Sequence, residues 1–259
     1  MAVREDLKRD GVVLKRAEWN PAWIEEIRQE YERHERNALP DYYPSEPIVV
    51  YWTHIVGSRK KMTALAQMPS LNSLALQVAW SLRHLADGEL RLLETIIFNK
   101  PPKTSNVLRW HQDVSYFPFQ PNNQLAVWIP FDVVTKDSGA MVYALGTHLM
   151  DLRASTDLHS GKVFNGEKRQ PIPENPEEVG IKTQCYEMNP GDMLIHDGRT
   201  WHMSGPNVTE NTQRRGLSLR FLVGETRYAP QAGSAAAFIK QLSVEPGDVI
   251  QGPAFPVLA

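Results

Sequence analysis

The sequence predicts an α+β protein, mainly β, whose strands form a jelly-roll or cupin-like double sheet behind N-terminal helices. Helical spacing of apolar residues is confined to the first 90 residues. From Leu90 onward, short segments rich in β-branched, aromatic and aliphatic residues follow one another at fairly even spacing, separated by turn-forming residues. Helices followed by many short strands are typical of this class.

Composition restricts the functions that need to be considered. The 259 residues fit one domain, and a hydrophobic fraction of 42% supports a sizeable core. A net charge of -2 makes nucleic acid an unfavourable partner. No apolar run approaches the roughly 18 residues of a spanning helix, and the N-terminus is charged where a signal peptide would be apolar. With a single cysteine, the chain is predicted to be cytoplasmic, without membrane contact.

Two helices are predicted in the first third of the chain. Asn20 and Pro21 are a helix cap followed by a proline at the first helical position, and Ile24, Ile27 and Tyr31 recur at helical spacing behind them. A second helix is predicted to begin at Ser70, with an apolar stripe through residues 71–85. This part, residues 1–90, is interpreted as mainly helical support for the barrel.

Seven strands are predicted in residues 91–223, the barrel core. Residues 224–259 are interpreted as a C-terminal extension, and the whole chain, 1–259, as a single domain. Cys185 lies on one of these strands and is expected to be in the core. The strands are Leu92–Phe98, Val107–His111, Leu125–Val134, Ala140–Tyr143, Lys182–Glu187, Met193–His196 and Arg215–Val223. Residues 151–181 interrupt this rhythm with glycines, prolines and charges, and are predicted to be a lid loop rather than a plain surface excursion.

One pattern points to a metal. His111 and Asp113 stand two apart at the end of a predicted strand, so both side chains face the same way. His202 lies far downstream, just before the last strong strand. Two histidines and one carboxylate are the ligand set of non-haem iron(II) oxygenases, which leaves three positions open. The pair His196 and Asp197 is the rival source of the third ligand.

The last strand supplies a basic residue for an acidic ligand. Leu217, Leu219 and Phe221 alternate with Arg214, Gly216, Ser218 and Arg220. The apolar set is expected to pack on the helices, and the other set to face the barrel interior. Gly216 and Ser218 are expected to leave room for a ligand there. An inward arginine suits the distal carboxylate of a diacid, whereas a structural ion pair is the favoured role for Arg220.

These residues and their neighbours resemble the phytanoyl-CoA dioxygenase family of iron(II)/2-oxoglutarate-dependent oxygenases. The resemblance extends over about residues 95–223, and the N-terminal helices fit it more loosely. Its motifs are Phe98-Asn99-Lys100-Pro101-Pro102, Trp110-His111-Gln112-Asp113, Tyr116-Phe117-Pro118-Phe119, Asp137-Ser138-Gly139-Ala140, Leu145-Gly146-Thr147-His148, Asn189-Pro190-Gly191-Asp192 and His202-Met203-Ser204-Gly205-Pro206-Asn207.

The resemblance implies a double-stranded β-helix with Fe(II) held by His111, Asp113 and His202, and with 2-oxoglutarate and O2 as co-substrates. It implies that Arg214 binds the distal carboxylate of 2-oxoglutarate. Three further positions, Gln112, Trp128 and Ser204, match residues that contact the co-substrate in relatives. The spacing from His202 to Arg214 is one residue longer than usual, which leaves Arg215 as the alternative anchor.

The predicted function is therefore hydroxylation of a small organic metabolite, with 2-oxoglutarate converted to succinate and CO2. Desaturation, epoxidation or ring closure by the same cofactors is the first alternative. A ligand-binding barrel without catalysis, or a cupin-type enzyme with another metal, is the second. The sequence leaves the substrate and the oligomeric state undetermined.

Overall fold

The structure, a computed structural model, describes residues 2–36, 42–45, 48–55, 69–105, 107–231, 244–252 and 255–259. Its α-helices are α1 (Ala2–Asp10), α2 (Pro21–Arg36) and α3 (Pro69–Leu82). Short 3-10 helices span Asp113–Tyr116, Lys136–Ser138, Thr147–Leu149 and Pro176–Val179. The strands are β1 (Val12–Lys15), β2 (Tyr42–Ser45), β3 (Ile48–Ile55), β4 (Leu90–Lys100), β5 (Leu108–His111), β6 (Phe119–Gln120), β7 (Gln124–Pro130), β8 (Met141–Ala144), β9 (Thr183–Tyr186), β10 (Met193–Asp197), β11 (His202–Ser204), β12 (Arg214–Val223) and β13 (Arg227–Tyr228).

Two antiparallel sheets face one another and form the predicted double-stranded β-helix. The large sheet has seven strands in the order β1-β10-β7-β12-β4-β3-β2, and the small sheet has four in the order β5-β11-β8-β9. Apolar side chains from both sheets meet in one cluster, with Trp128 and Leu194 from the large sheet and Met141, Tyr143 and Tyr186 from the small one. Strands β6 and β13 form a separate pair.

The helices cover the outer face of the large sheet. As predicted, Asn20 caps α2: its Oδ1 accepts a hydrogen bond from the backbone N–H of Ala22 at 2.9 Å. The apolar stripe of α2 is completely buried against the outward residues of β7, β10 and β12 in the main core cluster. None of the helices in the described segments has the length and apolar character needed to cross a membrane.

All seven predicted strands are present, with ends shifted by a few residues, but the first third of the chain is not helical throughout. It also supplies β1 to one edge of the large sheet, and β2 and β3 to the other. The placement of Cys185 in the core was wrong, because the side chain is exposed. Strand β9 is an edge strand of the small sheet, where Tyr186 rather than Cys185 turns inward.

The C-terminal extension completes the large sheet. Leu90 and Leu92, at the start of β4, donate backbone hydrogen bonds to the carbonyls of Ala259 and Pro256 at 2.7 and 3.0 Å. Ile250 and Phe255 pack in a cluster with Phe119. The end of the chain therefore satisfies backbone groups on β4 that β3 does not reach.

Residues 151–181 wrap around β5, the edge strand of the small sheet. Arg109, on β5, donates its backbone N–H to the carbonyl of Leu158 at 2.9 Å, and Leu158 packs against the inward residues Ile96 and Leu108. Ile172 packs with Trp201 on the outer face of the same sheet. The predicted lid is therefore attached to the strand that ends in His111.

The space beside Gly216 is filled by protein rather than left for a ligand, contrary to expectation. A Cβ built on Gly216 would lie 2.1 Å from Cζ2 of Trp128. The glycine on β12 thus allows the indole of Trp128 on β7 to lie directly against the β12 backbone. The consequence is a fixed position for Trp128 at one end of the barrel interior.

We expect Gly216→Ala to lower the free energy of unfolding by about 1–3 kcal/mol, because the added methyl group overpacks this contact. Urea denaturation followed by tryptophan fluorescence measures the change. Gly205→Ala is the matched control, since a Cβ at Gly205 meets nothing within 4 Å. Equal stability of the two variants would contradict the packing described.

Candidate functional site

Pairing of two short strands brings the predicted histidines together. His111 on β5 and His202 on β11 are direct partners across the small sheet, and their ring centroids lie 4.1 Å apart. The next partners are Ser204 and Leu108, so β5 contains an extra residue between its paired positions. This β-bulge keeps both Leu108 and His111 on the inner side of the barrel, and bulges of this kind are common beside active sites.

Asp113 joins the two histidines from just beyond the strand. It is the first residue of a 3-10 helix, and the extended backbone of Gln112 preserves the alternation that turns Asp113 to the side of His111. His111, Asp113 and His202 each offer one ligand atom, and these three atoms lie within 4.8 Å of one another. All three side chains are buried. The structure thus assembles the predicted triad.

The hydrogen bonds of the two histidines fix which nitrogen faces the carboxylate. Nδ1 of His111 lies 2.7 Å from the carbonyl of Arg109, and Nδ1 of His202 lies 2.9 Å from the carbonyl of Thr200. A carbonyl only accepts, so each Nδ1 carries the proton and each Nε2 keeps its lone pair. These Nε2 atoms lie 4.0 and 3.7 Å from Oδ1 of Asp113. This is the tautomer that a metal ligand needs.

Two donors hold the Asp113 carboxylate in place. Nη2 of Arg220 donates to Oδ1 at 2.8 Å, and Nε2 of His196 lies 3.2 Å from Oδ2. Because the carboxylate accepts, His196 carries its proton on Nε2, and its Nδ1 accepts from the hydroxyl of Tyr143 at 3.1 Å. Arg220 also pairs with Glu94. His196 is therefore engaged with the carboxylate, which favours His202 as the third ligand.

The electrostatics of the triad match these roles. Burial by itself would raise the pKa of Asp113, but the charge of Arg220 and the hydrogen bond from His196 help to hold it well below its usual value. Burial lowers the pKa of His111 and, more strongly, that of His202. The site thus presents one carboxylate and two neutral imidazoles, the protonation states that bind a metal.

Arg214 lies inside the barrel and Arg215 outside it, as the strand alternation predicts. The side chain of Arg214 is buried, with its Cζ 4.4 Å from the centre of the Trp128 ring. Among the described residues, its Nε and Nη2 have no hydrogen-bond partner, nor has Nε1 of Trp128. Burial lowers the pKa of Arg214 to about 10. Arg215 instead pairs with Asp132 at 2.7 Å and with Glu32 of α2.

The other predicted co-substrate contacts, Gln112 and Ser204, have protein partners. Gln112 donates from Nε2 to the carbonyl of Arg199 at 3.1 Å, and its Oε1 accepts from the backbone N–H of Arg153 in the 151–181 loop. The hydroxyl of Ser204 accepts a hydrogen bond from Nζ of Lys100 at 2.8 Å. Sequence reasoning gave Lys100 no role beyond its place in a motif. Lys100 follows Ile96 and Phe98 at steps of two residues on β4, however, and such residues face the same inner side.

A comparison with protein families agrees with this geometry. The family model of phytanoyl-CoA dioxygenase (PhyH) matches residues 7–216, which is most of the chain. This protein belongs to the phytanoyl-CoA dioxygenase family. The match includes the three triad residues and Arg214, and it extends further into the N-terminal segment than the sequence motifs do.

Curated relatives share about a quarter to a third of the aligned residues with this chain. Human peroxisomal phytanoyl-CoA dioxygenase is 27% identical over 157 residues, covering 58% of this chain and 44% of that protein. A probable alpha-ketoglutarate-dependent hypophosphite dioxygenase of Stutzerimonas stutzeri is 31% identical over 144 residues, covering 55% and 46%. The matched segment is thus less than half the length of these relatives.

Solved structures show the same fold over the whole chain. The epimerase SnoN, solved with Fe3+, alpha ketoglutarate and nogalamycin RO, has a TM-score of 0.79 at 20% identity, covering 100% of this chain and 98% of SnoN. The carbocyclase SnoK from nogalamycin biosynthesis has a TM-score of 0.79 at 21% identity, covering 100% and 96%. At this level of identity the likeness establishes the double-stranded β-helix.

Arg214 and Arg215 should differ in their effect on stability. We expect Arg215→Met to lower the free energy of unfolding by roughly 2 kcal/mol, because it leaves the carboxylates of Asp132 and Glu32 without this partner. Arg214→Met should leave the value equal or higher, since it removes a buried charge that has no acidic partner in the described structure. Urea denaturation of the ligand-free protein measures both. An equal loss in the two variants would contradict the assigned faces.

A second prediction concerns Gln112, whose amide joins the triad segment to the 151–181 loop. In Gln112→Ala we expect faster amide hydrogen exchange at Arg153, because the backbone N–H of Arg153 loses its acceptor. Affinity for 2-oxoglutarate should stay within about threefold of the parent protein. A tenfold loss of that affinity with unchanged exchange at Arg153 would favour the co-substrate contact implied by the sequence.

Proposed function

We propose that this protein is an Fe(II)/2-oxoglutarate-dependent dioxygenase that oxidises a small organic molecule, with hydroxylation as the outcome. His111, Asp113 and His202 hold the iron, and Arg214 binds the distal carboxylate of 2-oxoglutarate. The observation that carries the proposal is the buried triad, whose two Nε2 lone pairs face one carboxylate oxygen. Membership of the PhyH family supports it.

The donor set fits iron(II) and leaves room for a chelating co-substrate. Two imidazole nitrogens and one carboxylate oxygen on one side of an ion are the facial arrangement of non-haem iron oxygenases. The backbone carbonyls behind the histidines and the two donors on Asp113 hold the ligands in orientation. Among the described residues, this triad is the group of histidine and acidic side chains compact enough for a metal.

The co-substrate fits the unpaired donors at the other end of the pocket. Nε and Nη2 of Arg214 and Nε1 of Trp128 are buried hydrogen-bond donors with no acceptor among the described residues. Leaving such groups unpaired is costly, and a carboxylate supplies the acceptors that they lack. Ser204 lies two residues after His202 on β11, so its Cα is about 6–7 Å from that of a ligand residue. A five-carbon diacid suits this separation.

The protein's own contribution is positioning and the exclusion of water. When bound, iron(II) and 2-oxoglutarate supply the activation of O2 that removes hydrogen from a substrate C–H bond, yielding succinate and CO2. Asp113 stays ionised beside Arg220, and the loop that crosses β5 limits the access of water. Tyr116, packed between His111 and Phe164 of this loop, joins the loop to the site.

Ring closure, desaturation or epoxidation by the same cofactors is the second candidate. It is favoured by the fold shared with SnoK, a carbocyclase, and SnoN, an epimerase. These outcomes differ from hydroxylation in how the substrate is placed after hydrogen removal, and the triad of this chain does not by itself distinguish them. A barrel without catalysis is disfavoured because both the triad and the Arg214 site are complete.

The central experiment measures succinate released from 2-oxoglutarate in the presence of Fe(II) and O2. We expect release by the parent protein, and at least a hundredfold less from His111→Ala, Asp113→Ala and His202→Ala, because two remaining ligands bind iron far more weakly. Equilibrium dialysis with Fe(II) under argon measures the loss of metal directly. Full activity in His202→Ala would contradict the assignment.

His196→Gln is the matched control for these substitutions. It changes a buried histidine 3.2 Å from the Asp113 carboxylate without removing a proposed ligand. We expect this variant to retain stoichiometric iron with reduced affinity. Complete loss of iron in His196→Gln, with retention in His202→Ala, would reassign the third ligand to His196.

A further inference from the structure

Lys100 is a buried lysine at the base of the barrel. It is the last residue of β4, its side chain has no exposed surface, and its direct partner on β12 is Arg214. No carboxylate of the described residues lies within ion-pair distance of either side chain. When Lys100 is charged, two positive charges lie beside each other in the interior, an arrangement that is unfavourable unless an anion joins them.

All three hydrogens of the Lys100 ammonium have protein acceptors. Nζ donates to Oγ of Ser204 at 2.8 Å, to the carbonyl of Ser204 at 3.2 Å, and to the carbonyl of Gly205. An ammonium has three N–H donors and no lone pair, so these contacts use its full capacity. Lys100 therefore cannot itself contact a bound molecule without giving up one of them.

The contact with Ser204 sets the direction of its hydroxyl group. In its charged form Lys100 can only donate, so Oγ of Ser204 accepts, and the hydrogen of this hydroxyl is left to donate elsewhere. Among the residues described, no acceptor for that hydrogen is present. Ser204 is on the same side of β11 as His202, so its free hydrogen faces the barrel interior, as do the unpaired donors of Arg214.

We propose that Lys100 is a positioning residue for the distal carboxylate of the co-substrate: it orients the Ser204 hydroxyl as a donor and adds a second positive charge beside Arg214. This inference rests on the proposed function, since it concerns the same co-substrate. It makes the end of the pocket selective for a charged terminus. Arg214 and Ser204 contact the carboxylate, and Lys100 acts through Ser204.

The pKa of Lys100 links its charge to the presence of a bound carboxylate. Burial, together with the charge of Arg214, lowers the pKa of Lys100 to about 6. A carboxylate bound at Arg214 offsets the repulsion between the two cations and favours the ammonium form. In that form Lys100 has three hydrogens for its three acceptors, and the Ser204 hydroxyl turns toward the ligand.

A purely structural role for Lys100 predicts a different result. If its only task is to hold the Ser204–Gly205 backbone, then replacing it weakens every ligand of the pocket alike, or only stability. If it acts on the distal carboxylate, replacing it weakens 2-oxoglutarate but not 2-oxopentanoate, which has the same chain length and keto acid group without the distal charge. The ratio of the two affinities therefore separates the two roles.

The test is calorimetric titration of the Fe(II)-loaded protein under argon with 2-oxoglutarate and with 2-oxopentanoate. We expect the parent protein to favour 2-oxoglutarate strongly, and Lys100→Met to reduce that preference at least tenfold with 2-oxopentanoate affinity little changed. Lys100→Arg, which keeps the charge and the donors, should recover part of the preference. Unchanged preference in Lys100→Met would overturn the inference.

A double-mutant cycle with Ser204→Ala tests whether Lys100 acts through the serine. We expect Ser204→Ala to reduce the preference for 2-oxoglutarate. The double variant should lose no more of this preference than the single variant with the larger loss. Additive losses would overturn the inference that Lys100 acts through Ser204. If Lys100→Met does not fold, the same comparison is made with Ser204→Ala and Lys100→Arg. A parent protein without preference for 2-oxoglutarate would instead reject the co-substrate assignment of the proposed function.

Discussion

A carboxylate that must stay charged inside the barrel is the constraint on which the site depends. Asp113 is buried between two uncharged imidazoles, and no water-exposed surface compensates its charge. Arg220 and His196 compensate this charge instead, and Glu94 accepts a hydrogen bond from the other terminal nitrogen of Arg220, Nη1. The ligand atoms can therefore be preorganised before a metal arrives, because the cost of burying the charge is already offset by fixed partners.

The outward residues of strand β12 pack in the core that stabilises the fold, whereas its inward residues face the interior that contains the triad. Its outward residues anchor α2 and α3, through Leu217 and Leu219 in the core and through Arg215 with two carboxylates. Its inward residues include Arg214, which is buried without an acidic partner, and Arg220. Because neighbouring residues of a strand face opposite sides, adjacent arginines serve opposite purposes. An unpaired inward charge is unfavourable for stability, and an anion bound beside it would offset that cost.

The loop at residues 151–181 connects the edge of the small sheet to the segment that contains the triad. The loop is attached to β5 through Arg109 and to the triad segment through Gln112 and Tyr116. Its composition predicted a lid loop, but not this attachment, since prolines and glycines specify only the absence of regular structure. The position of this loop against β5 and the triad segment follows from tertiary contacts.

The sequence by itself determined the barrel strands, the shared side of His111 and Asp113 and the inward side of Arg214, because alternation and the His-x-Asp spacing at residues 111–113 are local patterns. His202 as the third ligand was implied by the resemblance to a family rather than by a local pattern. The sequence did not determine that Cys185 faces solvent, since an edge strand and a central strand look alike in sequence. Only the tertiary structure paired His196 with Asp113 and placed Lys100 against Ser204. Those partners are about 80 to 100 residues apart in the chain, and no local period relates positions that distant. The physical reason is that a side chain's direction is set by its own strand, whereas its partner is set by how the strands are ordered in the sheets.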